Sequence, residues 1–362
     1  MLDHYYAVIM AGGGGTRLWP LSRQFRPKQM LELAGSDSLF RTAFCRLQGL
    51  FSSQNILVVT TQEQASQLMT QCLEIPRENY LLEPQPRGTA SVVGLAAVAL
   101  QQRDPQAVMA VLTSDHHIAN TENFLQLLET AYDIARQDYL VTLGISPTYP
   151  ATGYGYIQSG EKLGTFHGLE AYRVKRFKEK PDLVQAQAML ASGDHAWNSG
   201  MFAWQVKDIM QEFRRQMPTL HGHLQTIARA WDTPDNQAVL QATWPLLEVI
   251  TIDYGVMEGA GKVAVIPAAG LGWNDIGSWE SIFEIFPPDE NGNITVNGQP
   301  IFLDTHNTLI YSTSPERMAV AIGVEDLVIV DTGDVLLICK REQAQQVRQV
   351  VNQLKQTNPK YL

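Results

Sequence analysis

The sequence lacks the features that mark membrane, disulfide-rich and nucleic-acid-binding proteins. No apolar run approaches the ~20 residues that a membrane-spanning helix needs, and the first residues do not form a secretory signal. The three cysteines, Cys45, Cys72 and Cys339, are odd in number and far apart, which predicts neither a disulfide framework nor a zinc site. Acidic residues number 37 and Lys plus Arg only 27, and the net charge of −10 argues against general binding to nucleic acid. We therefore expect a cytoplasmic protein whose partners include neither a membrane nor a nucleic acid.

The order of apolar runs predicts an α/β fold. The length of 362 residues allows about two domains with a large core. Strand-like apolar runs alternate with helical patterns through the first half, which predicts a mainly parallel mixed sheet flanked by helices. From Pro147 short strand-like runs suggest an inserted antiparallel part. A Pro- and Gly-rich break at 287–293 precedes short β-rich runs and a closing helix over 341–356. We predict a first domain over residues 1–287 and a small β-rich domain over 288–362.

One loop is positively charged on this acidic chain. The apolar run 5–10 leads into four glycines, Gly12–Gly15, whose backbone N–H groups can converge on an anion. Four cations lie within residues 10–30, a stretch without an acidic residue: Arg17, Arg23, Arg26 and Lys28. Neither the Walker loop nor the dinucleotide-binding loop fits, because no Gly-Lys-Ser/Thr follows and Arg17 stands where the last glycine of G-x-G-x-x-G belongs. The loop predicts a polyphosphate site; a flexible turn is the simpler alternative.

Two aspartates are candidates for binding a hard cation. Asp115 directly follows the strand-like run 108–112, and Asp275 lies in a Gly- and Trp-rich loop. Mg²⁺ favours a few carboxylates together with phosphate oxygens. Each aspartate alone would fit a turn or a helix cap equally well. His116 and His117 lack a third ligand at a spacing that suits zinc.

Several motifs taken together resemble one enzyme family. The run G-G-x-G-T-R-L-x-P-L-S at 12–22, with Pro27-Lys28 after it, resembles the signature of sugar-phosphate nucleotidylyltransferases. The segments 147–157, 197–200 and 252–258 look most like the members of that family that use GTP and mannose 1-phosphate. The resemblance implies a Rossmann-like nucleotidyltransferase fold, Mg²⁺ as the cofactor and a homodimer. The implied reaction transfers GMP from GTP to α-D-mannose 1-phosphate and gives GDP-mannose and pyrophosphate.

The same resemblance implies three groups of site residues. The catalytic group, whose two aspartates would also hold the metal, is Arg17, Lys28, Asp115 and Asp275. The nucleotide-binding group is Gly12, Gly13, Gly14, Gly15, Thr16, Glu83, Arg87, Thr89 and Ser114. The sugar-phosphate-binding group is Gly155, Glu179, Lys180, Asn198 and Asp253.

Alternatives to this reaction stay open at the level of sequence. Glu83 would accept hydrogen bonds from guanine N1–H and its amino group, but relatives usually show Asn and Pro where this chain has Gly88 and Ser91. A sister transferase acting on another sugar or base is one alternative. Others are a bifunctional enzyme that also isomerises mannose 6-phosphate and a non-catalytic paralogue that binds sugar nucleotides. The short segment after the break, without a His/Glu cluster, argues against the bifunctional enzyme.

Overall fold

The chain forms two compact units. The computed structural model describes residues 2–13, 15–33 and 35–362. The first unit consists of Met1–Gly12, Phe44–Ser114 and Ile118–Gly272, and the second of Gly13–Ala43, Asp115–His117 and Trp273–Leu362. The domain boundary between residues 287 and 288 stays a prediction.

Strands and helices alternate through the first half and strands predominate near the end. The strands are β1 (Tyr5–Met10), β2 (Ile56–Thr61), β3 (Tyr80–Glu83), β4 (Val108–Thr113), β5 (His117–Ile118), β6 (Leu140–Ile145), β7 (Tyr156–Phe166), β8 (Leu169–Lys178), β9 (His195–Gln205), β10 (Val263–Pro267), β11 (Trp273–Asn274), β12 (Ile294–Val296), β13 (Gln299–Leu303), β14 (Leu309–Ser312), β15 (Met318–Ile322), β16 (Leu327–Asp331) and β17 (Leu336–Lys340). The helices are α1 (Leu39–Leu47), α2 (Gln62–Gln71), α3 (Thr89–Arg103), α4 (Thr121–Ala135), α5 (Leu183–Ser192), α6 (Val206–Gln216), α7 (Pro218–Ala230), α8 (Asn236–Thr243), α9 (Ile252–Gly255), α10 (Ile282–Ile285) and α11 (Val347–Thr357).

The first unit is built on one mixed sheet in the order β3-β2-β1-β4-β9-β6-β10-β8-β7. β1 pairs in parallel with both β2 and β4, and these three strands are almost wholly buried, as apolar strands covered on both faces must be. β9 runs antiparallel to β4 and β6, and β7 runs antiparallel to β8. The predicted α/β class, with an inserted antiparallel part, is confirmed. Because β1, β3 and β4 are parallel, their carboxyl ends lie on the same side of the sheet. Gly12, Glu83 and Ser114 are at or just after these ends.

Helix α3 is the most deeply buried helix of this unit. Its residues 90–100 are all buried, and it packs on α6, α7 and α9 as well as on the sheet. An Ala- and Val-rich sequence without a polar stripe suits a helix that is covered all round. Because this packing holds α3 in place, it anchors the C-terminal end of the segment 83–89, which leads into the helix.

The second unit contains the β-rich C-terminal part. Its sheets have the orders β12-β14-β16-β17 and β13-β15, with parallel pairing except between β16 and β17. Leu309 and Val328 from these strands share a core with Leu18 and Leu21 from the loop that follows the glycines. The predicted closing helix begins as a 3₁₀ helix, Arg341–Gln346, and continues as α11. Among the described residues, no helix has both the length and the apolar character that crossing a membrane requires.

Candidate active site

In the second unit, Lys28 gathers three predicted site residues. Its Nζ donates to Asp115 Oδ2 over 2.8 Å and also to the backbone carbonyl of Asp275. Gly15, whose φ is +54°, packs directly against the Lys28 side chain. The Lys28 side chain is 8% exposed and that of Asp115 is 32% exposed, so the ion pair is buried on the lysine side and open on the carboxylate side. The structure therefore brings the end of the glycine loop, the Asp115 carboxylate and the backbone carbonyl of Asp275 together around one cation.

The Asp115 carboxylate is held ionised chiefly by Lys28. Burial alone would raise its pKa, but the charge and the hydrogen bond of Lys28, together with the charge of His116 when that ring is protonated, outweigh burial, so the pKa lies below its ordinary value. Trp273 Nε1 donates to His116 Nδ1 over 3.1 Å, which leaves the ring proton of a neutral His116 on Nε2. That nitrogen lies 3.9 Å from Asp115 Oδ1. Asp115 is thus kept ionised.

Asp275 lies in a tight turn that its own carboxylate closes. Asp275 Oδ1 accepts from the backbone N–H of Gly277 over 3.0 Å. The neighbouring Asn274 accepts from the N–H of Ile276 over 2.7 Å and donates to Glu284 over 2.5 Å. These contacts fix the backbone carbonyl that Lys28 uses. Within the described residues, no three His, Cys, Asp or Glu side chains converge into a metal site of their own.

In the first unit, Glu83 ends β3 as a buried carboxylate next to Gly12. A Cβ at Gly12 would lie 2.7 Å from Glu83 Oε1, so only glycine allows the carboxylate to approach the loop this closely. Glu83 Oε2 is buried and has no hydrogen-bond partner among the residues that the structure describes. Burial raises the pKa of Glu83 to about 7, although a hydrogen bond from the backbone of Arg87 opposes the shift. Glu83 Oε2 is therefore a buried hydrogen-bond acceptor that no donor among the described residues satisfies.

Arg87 and Thr89 both form hydrogen bonds with the segment 245–252, which leads into helix α9. Arg87 Nη2 donates to the carbonyl of Pro245 over 2.6 Å. Thr89 Oγ1 accepts from the N–H of Ile252 over 2.9 Å, and the residue preceding α3, Gly88, makes no side-chain cap. Thr89 therefore satisfies the first N–H of α9 and does not cap its own helix, α3. The nucleotide-binding roles of both residues stay predictions.

The five predicted sugar-phosphate residues lie together in the first unit. Gly155 faces Glu179 Oε2 with no room for a side chain between them. Glu179 Oε1 accepts from Lys180 Nζ over 2.6 Å, while Oε2 is buried and unpartnered within the described part of the chain. Asn198 Nδ2 donates to Asp253 Oδ1 over 2.7 Å. This cluster, like Glu83 beside Gly12, presents a buried carboxylate oxygen against a glycine.

The charges in this cluster influence one another. Burial, and next the charge of Glu179, raise the pKa of Asp253 to about 6. Burial would lower the pKa of Lys180, but its hydrogen bond and charge interaction with Glu179 outweigh burial and raise it. Lys180 is thus held as a cation at the half-exposed rim of the cluster.

The other predicted residues occupy the loop and its surroundings. Gly13, Thr16 and Arg17 are exposed, the last two in the 3₁₀ turn Thr16–Leu18, and Ser114 is buried at the end of β4. Gly14 lies outside the described residues. No contact of these residues decides their roles, which stay predictions.

Comparison with known families settles the class of the chain. A family model described as nucleotidyl transferase matches residues 6–292. The chain belongs to the nucleotidyl transferase family. A second model, described as the MannoseP isomerase/GMP-like beta-helix domain, matches residues 298–354 of this nucleotidyl transferase.

Curated relatives and solved structures resemble the transferase over most of its length. It is 38% identical over 357 residues to the mannose-1-phosphate guanylyltransferase of Escherichia coli (strain K12), covering 97% of this chain and 73% of the relative. It is 37% identical over 355 residues to the xanthan biosynthesis protein XanB of Xanthomonas campestris pv. campestris (strain B100), covering 96% and 73%. A crystal structure from Thermus thermophilus, described as a mannose-1-phosphate geranyltransferase, superposes with a TM-score of 0.87 at 32% identity and covers 97% and 99% of the two chains. A mannose-6-phosphate isomerase from Helicobacter pylori gives 0.62 at 26% identity and covers 75% and 100%.

Two polar residues of the transferase support the sugar cluster but were not singled out from the sequence. Thr142 Oγ1 donates to Asn198 Oδ1 over 3.2 Å, from a strand that reads only as apolar. Glu258 accepts from the backbone N–H of Glu179 over 2.8 Å. Glu258 could have been singled out from the sequence, because it lies in the segment 252–258, which carries part of the family resemblance.

The raised pKa of Glu83 predicts a pH-dependent effect of Glu83→Gln on stability. The ordinary value is 4.5 and the folded value about 7, so the folded protein retains a proton that the unfolded chain releases between these pH values. The stabilisation is complete below pH 4.5 and is lost as the pH rises through 7. Relative to the variant, the wild type should lose about 2 kcal/mol of unfolding free energy between pH 5 and pH 8.

Urea unfolding of wild type and Glu83→Gln at the two pH values measures this difference. Glu78→Gln, at an exposed site on the turn before β3, controls for the loss of one negative charge. An unchanged difference between wild type and Glu83→Gln at pH 5 and pH 8 would show that Glu83 titrates normally.

Proposed function

We propose that this nucleotidyl transferase transfers GMP from GTP to α-D-mannose 1-phosphate, releasing GDP-mannose and pyrophosphate. The choice of substrates is supported by the relatives described as mannose-1-phosphate guanylyltransferases, with 38% identity over nearly the whole chain. The observation in the structure that carries the proposal is the open acceptor of Glu83. Guanine offers N1–H and an amino group side by side, and a carboxylate accepts from both.

Burial makes Glu83 selective. A buried polar atom without a partner costs about 1–3 kcal/mol, and a base that supplies the missing donor removes this cost. Adenine presents an acceptor nitrogen beside its amino group, and its lone pair would face a lone pair of the ionised Glu83 carboxylate. We therefore assign Glu83, next to Gly12, to recognition of the base.

The chemistry requires positioning and neutralisation of charge, without a covalent intermediate. An oxygen of the sugar phosphate attacks the α-phosphorus of GTP, and the bond from that phosphorus to the pyrophosphate oxygen breaks in line with it. Lys28 and Arg17 would neutralise the triphosphate, and Lys180 would bind the phosphate of mannose 1-phosphate. Glu179 and Asp253 would accept hydrogen bonds from the sugar hydroxyls.

A divalent cation fits the donors around Lys28. Nucleotidyl transferases generally use a divalent metal ion. Mg²⁺ usually takes one or two carboxylates and completes its shell with water and substrate phosphate. Asp115 offers a partly exposed carboxylate beside Lys28, and Asp275 contacts Lys28 through its backbone carbonyl, which places a second acidic residue nearby. We propose that these two residues hold Mg²⁺, which would neutralise charge on the substrate phosphates.

The substrates are small phosphorylated metabolites, which is consistent with a cytoplasmic protein that works without a nucleic-acid or membrane partner. The net charge of −10 supports the absence of a nucleic-acid partner.

Release of pyrophosphate tests the proposed function. The wild type mixed with GTP, mannose 1-phosphate and Mg²⁺ should release pyrophosphate and form GDP-mannose, and EDTA should abolish both. Replacing GTP by ATP or dTTP should lower kcat/KM by roughly tenfold or more, on the scale of one mispaired buried group. Faster turnover with another base or sugar 1-phosphate would identify a sister transferase instead. Conversion of mannose 6-phosphate would reveal the bifunctional enzyme, and inactivity with every pair would point to the non-catalytic paralogue.

We also propose a homodimer that forms through the outer face of β13 and β15. This outer face consists of side chains that are each 52–62% exposed: Ile301, Leu303, Met318, Val320 and Ile322. The parallel register places Ile301 beside Val320 and Leu303 beside Ile322, so the five form one continuous surface. Neither strand contains a charged residue.

The chemistry of the outer face suits a second copy of this chain. The five side chains are more than half exposed and wholly apolar, and homodimer interfaces are more apolar than the rest of a protein surface, at about 65%. An apolar face without charges is complementary to itself, as a twofold interface requires.

Sedimentation analysis of the wild type and Val320→Lys tests the dimer. The wild type should sediment as a dimer and Val320→Lys as a folded monomer, because the new charge would be buried in the interface. Leu73→Lys is the matched control, since Leu73 is 81% exposed and lies outside the outer face. A monomeric wild type, or a Val320→Lys variant that remains dimeric, would contradict the proposal.

A further inference from the structure

Arg23, one of the four cations of the loop, is buried, and its donors are engaged within the second unit. Its side chain is only 7% exposed. Nε donates to the carbonyl of Pro20 over 2.6 Å, and Nη1 donates to the carbonyl of Tyr361 over 2.9 Å. Nη2 donates to both carboxylate oxygens of Asp334, over 3.0 and 3.2 Å, and lies 3.3 Å from Thr332 Oγ1. A guanidinium with these partners holds protein together and is poorly placed to bind a phosphate.

A second loop residue uses the same carbonyl. Trp19 Nε1 donates to the carbonyl of Tyr361 over 2.8 Å. A carbonyl oxygen has two lone pairs, and here both are taken by donors that lie four positions apart in the loop. The carbonyl of Trp19 in turn accepts from Trp279 Nε1 over 3.0 Å. Trp19 is therefore fastened on both its side chain and its backbone.

The segment 359–362 can offer this carbonyl because of its own short helix. Pro359–Tyr361 form a 3₁₀ helix, and the last carbonyls of any helix have no partner within it. The N–H of Leu362 bonds to the carbonyl of Pro359, which leaves the carbonyl of Tyr361 to the loop. Leu362, only 8% exposed, packs in the same core cluster as Leu18 and Leu21.

Fastening Trp19 and Arg23 also fixes the residues on either side of them. Ser22 Oγ donates to the carbonyl of Gly15 over 2.8 Å. The backbones of Arg23 and Arg26 bond to each other in both directions, over 3.0 and 3.1 Å, and this turn leads directly to Pro27 and Lys28. Gly15 then packs against Lys28, which closes the loop on itself.

We propose that the segment 359–362 positions the loop that carries Arg17 and Lys28, with Arg23 as a positioning residue and not as a phosphate ligand. This inference rests on the proposed function insofar as the loop serves GTP. In this proposal, the hydrogen bonds from Arg23 and Trp19 to the carbonyl of Tyr361 support the binding and reaction of GTP.

Three variants test the proposal: deletion of residues 359–362, Arg23→Lys, and the two combined. Amide hydrogen exchange of residues 15–28 reports the order of the loop, and steady-state kinetics report its use. Each single variant should raise exchange in the loop and lower kcat/KM for GTP roughly tenfold to a hundredfold, the scale of a small misplacement of reacting groups. KM for mannose 1-phosphate should change little. The effect of the combined variant should be clearly smaller than the sum of the two single effects, because both remove the bond between Arg23 and the carbonyl of Tyr361.

Lys360→Ala is the matched control. It removes a cation from the same segment, but its ammonium lies over the Tyr361 ring and makes no bond to the loop that the structure describes. It should behave as the wild type in both measurements. Should the deletion prevent folding, Trp19→Phe removes one N–H and keeps the aromatic ring, and it should still raise exchange in residues 15–28.

Two results would overturn the inference. One is a folded deletion variant, or a Trp19→Phe variant, with wild-type exchange in the loop. The other is an effect of Arg23→Lys that adds in full to the effect of the deletion, because Arg23 would then act apart from the segment. Failure of the proposed function is distinguishable, since the wild type would then release no pyrophosphate while the exchange measurements would still report on the tie.

Discussion

The second unit depends on one buried cation. Its three chain segments, 13–43, 115–117 and 273–362, each contribute to the surroundings of Lys28: Gly15 packs on the side chain, Asp115 supplies a carboxylate and Asp275 a carbonyl. A buried ammonium must be paired, because removing an ion from water costs several kcal/mol. The need to satisfy Lys28 therefore draws together segments that are distant in sequence, and these are the segments that carry the predicted catalytic groups.

The first unit repeats one construction at two places. Glu83 lies against Gly12 and Glu179 against Gly155, and in both the nearby glycine lets a carboxylate approach where any Cβ would collide with it. In both, Oε2 is buried and lacks a partner among the described residues. Buried polar atoms without a partner are few in folded proteins, and each one needs a physical explanation. The proposed roles, recognition of guanine and of sugar hydroxyls, give each acceptor a donor.

Local patterns predicted the elements but not the contacts between them. The alternation of buried strands and helices, the antiparallel strands β7–β9 and the β-rich part after the break follow from runs of a few neighbouring residues. The pairing of Lys28 with Asp115 joins residues 87 positions apart, and only the family resemblance suggested that both serve one site. Arg23 shows the limit most clearly, because its charge was counted toward a polyphosphate, whereas its partner Asp334 lies 311 residues away. A local sequence pattern shows the charge of a side chain but not which groups that side chain contacts.

A double-mutant cycle between Lys28 and Asp115 tests the central claim most directly. Lys28→Met keeps the length of the side chain and removes the charge, and Asp115→Asn keeps the size and removes the opposite charge. Each single change should lower the unfolding free energy by about 1–3 kcal/mol, less than for a fully buried pair because Asp115 is partly exposed. The double variant should lose clearly less unfolding free energy than the sum, and its rate of pyrophosphate release should be no lower than that of the slower single variant. Full additivity of the two changes in both stability and rate would show that Lys28 and Asp115 act independently, and the account of the site would be wrong.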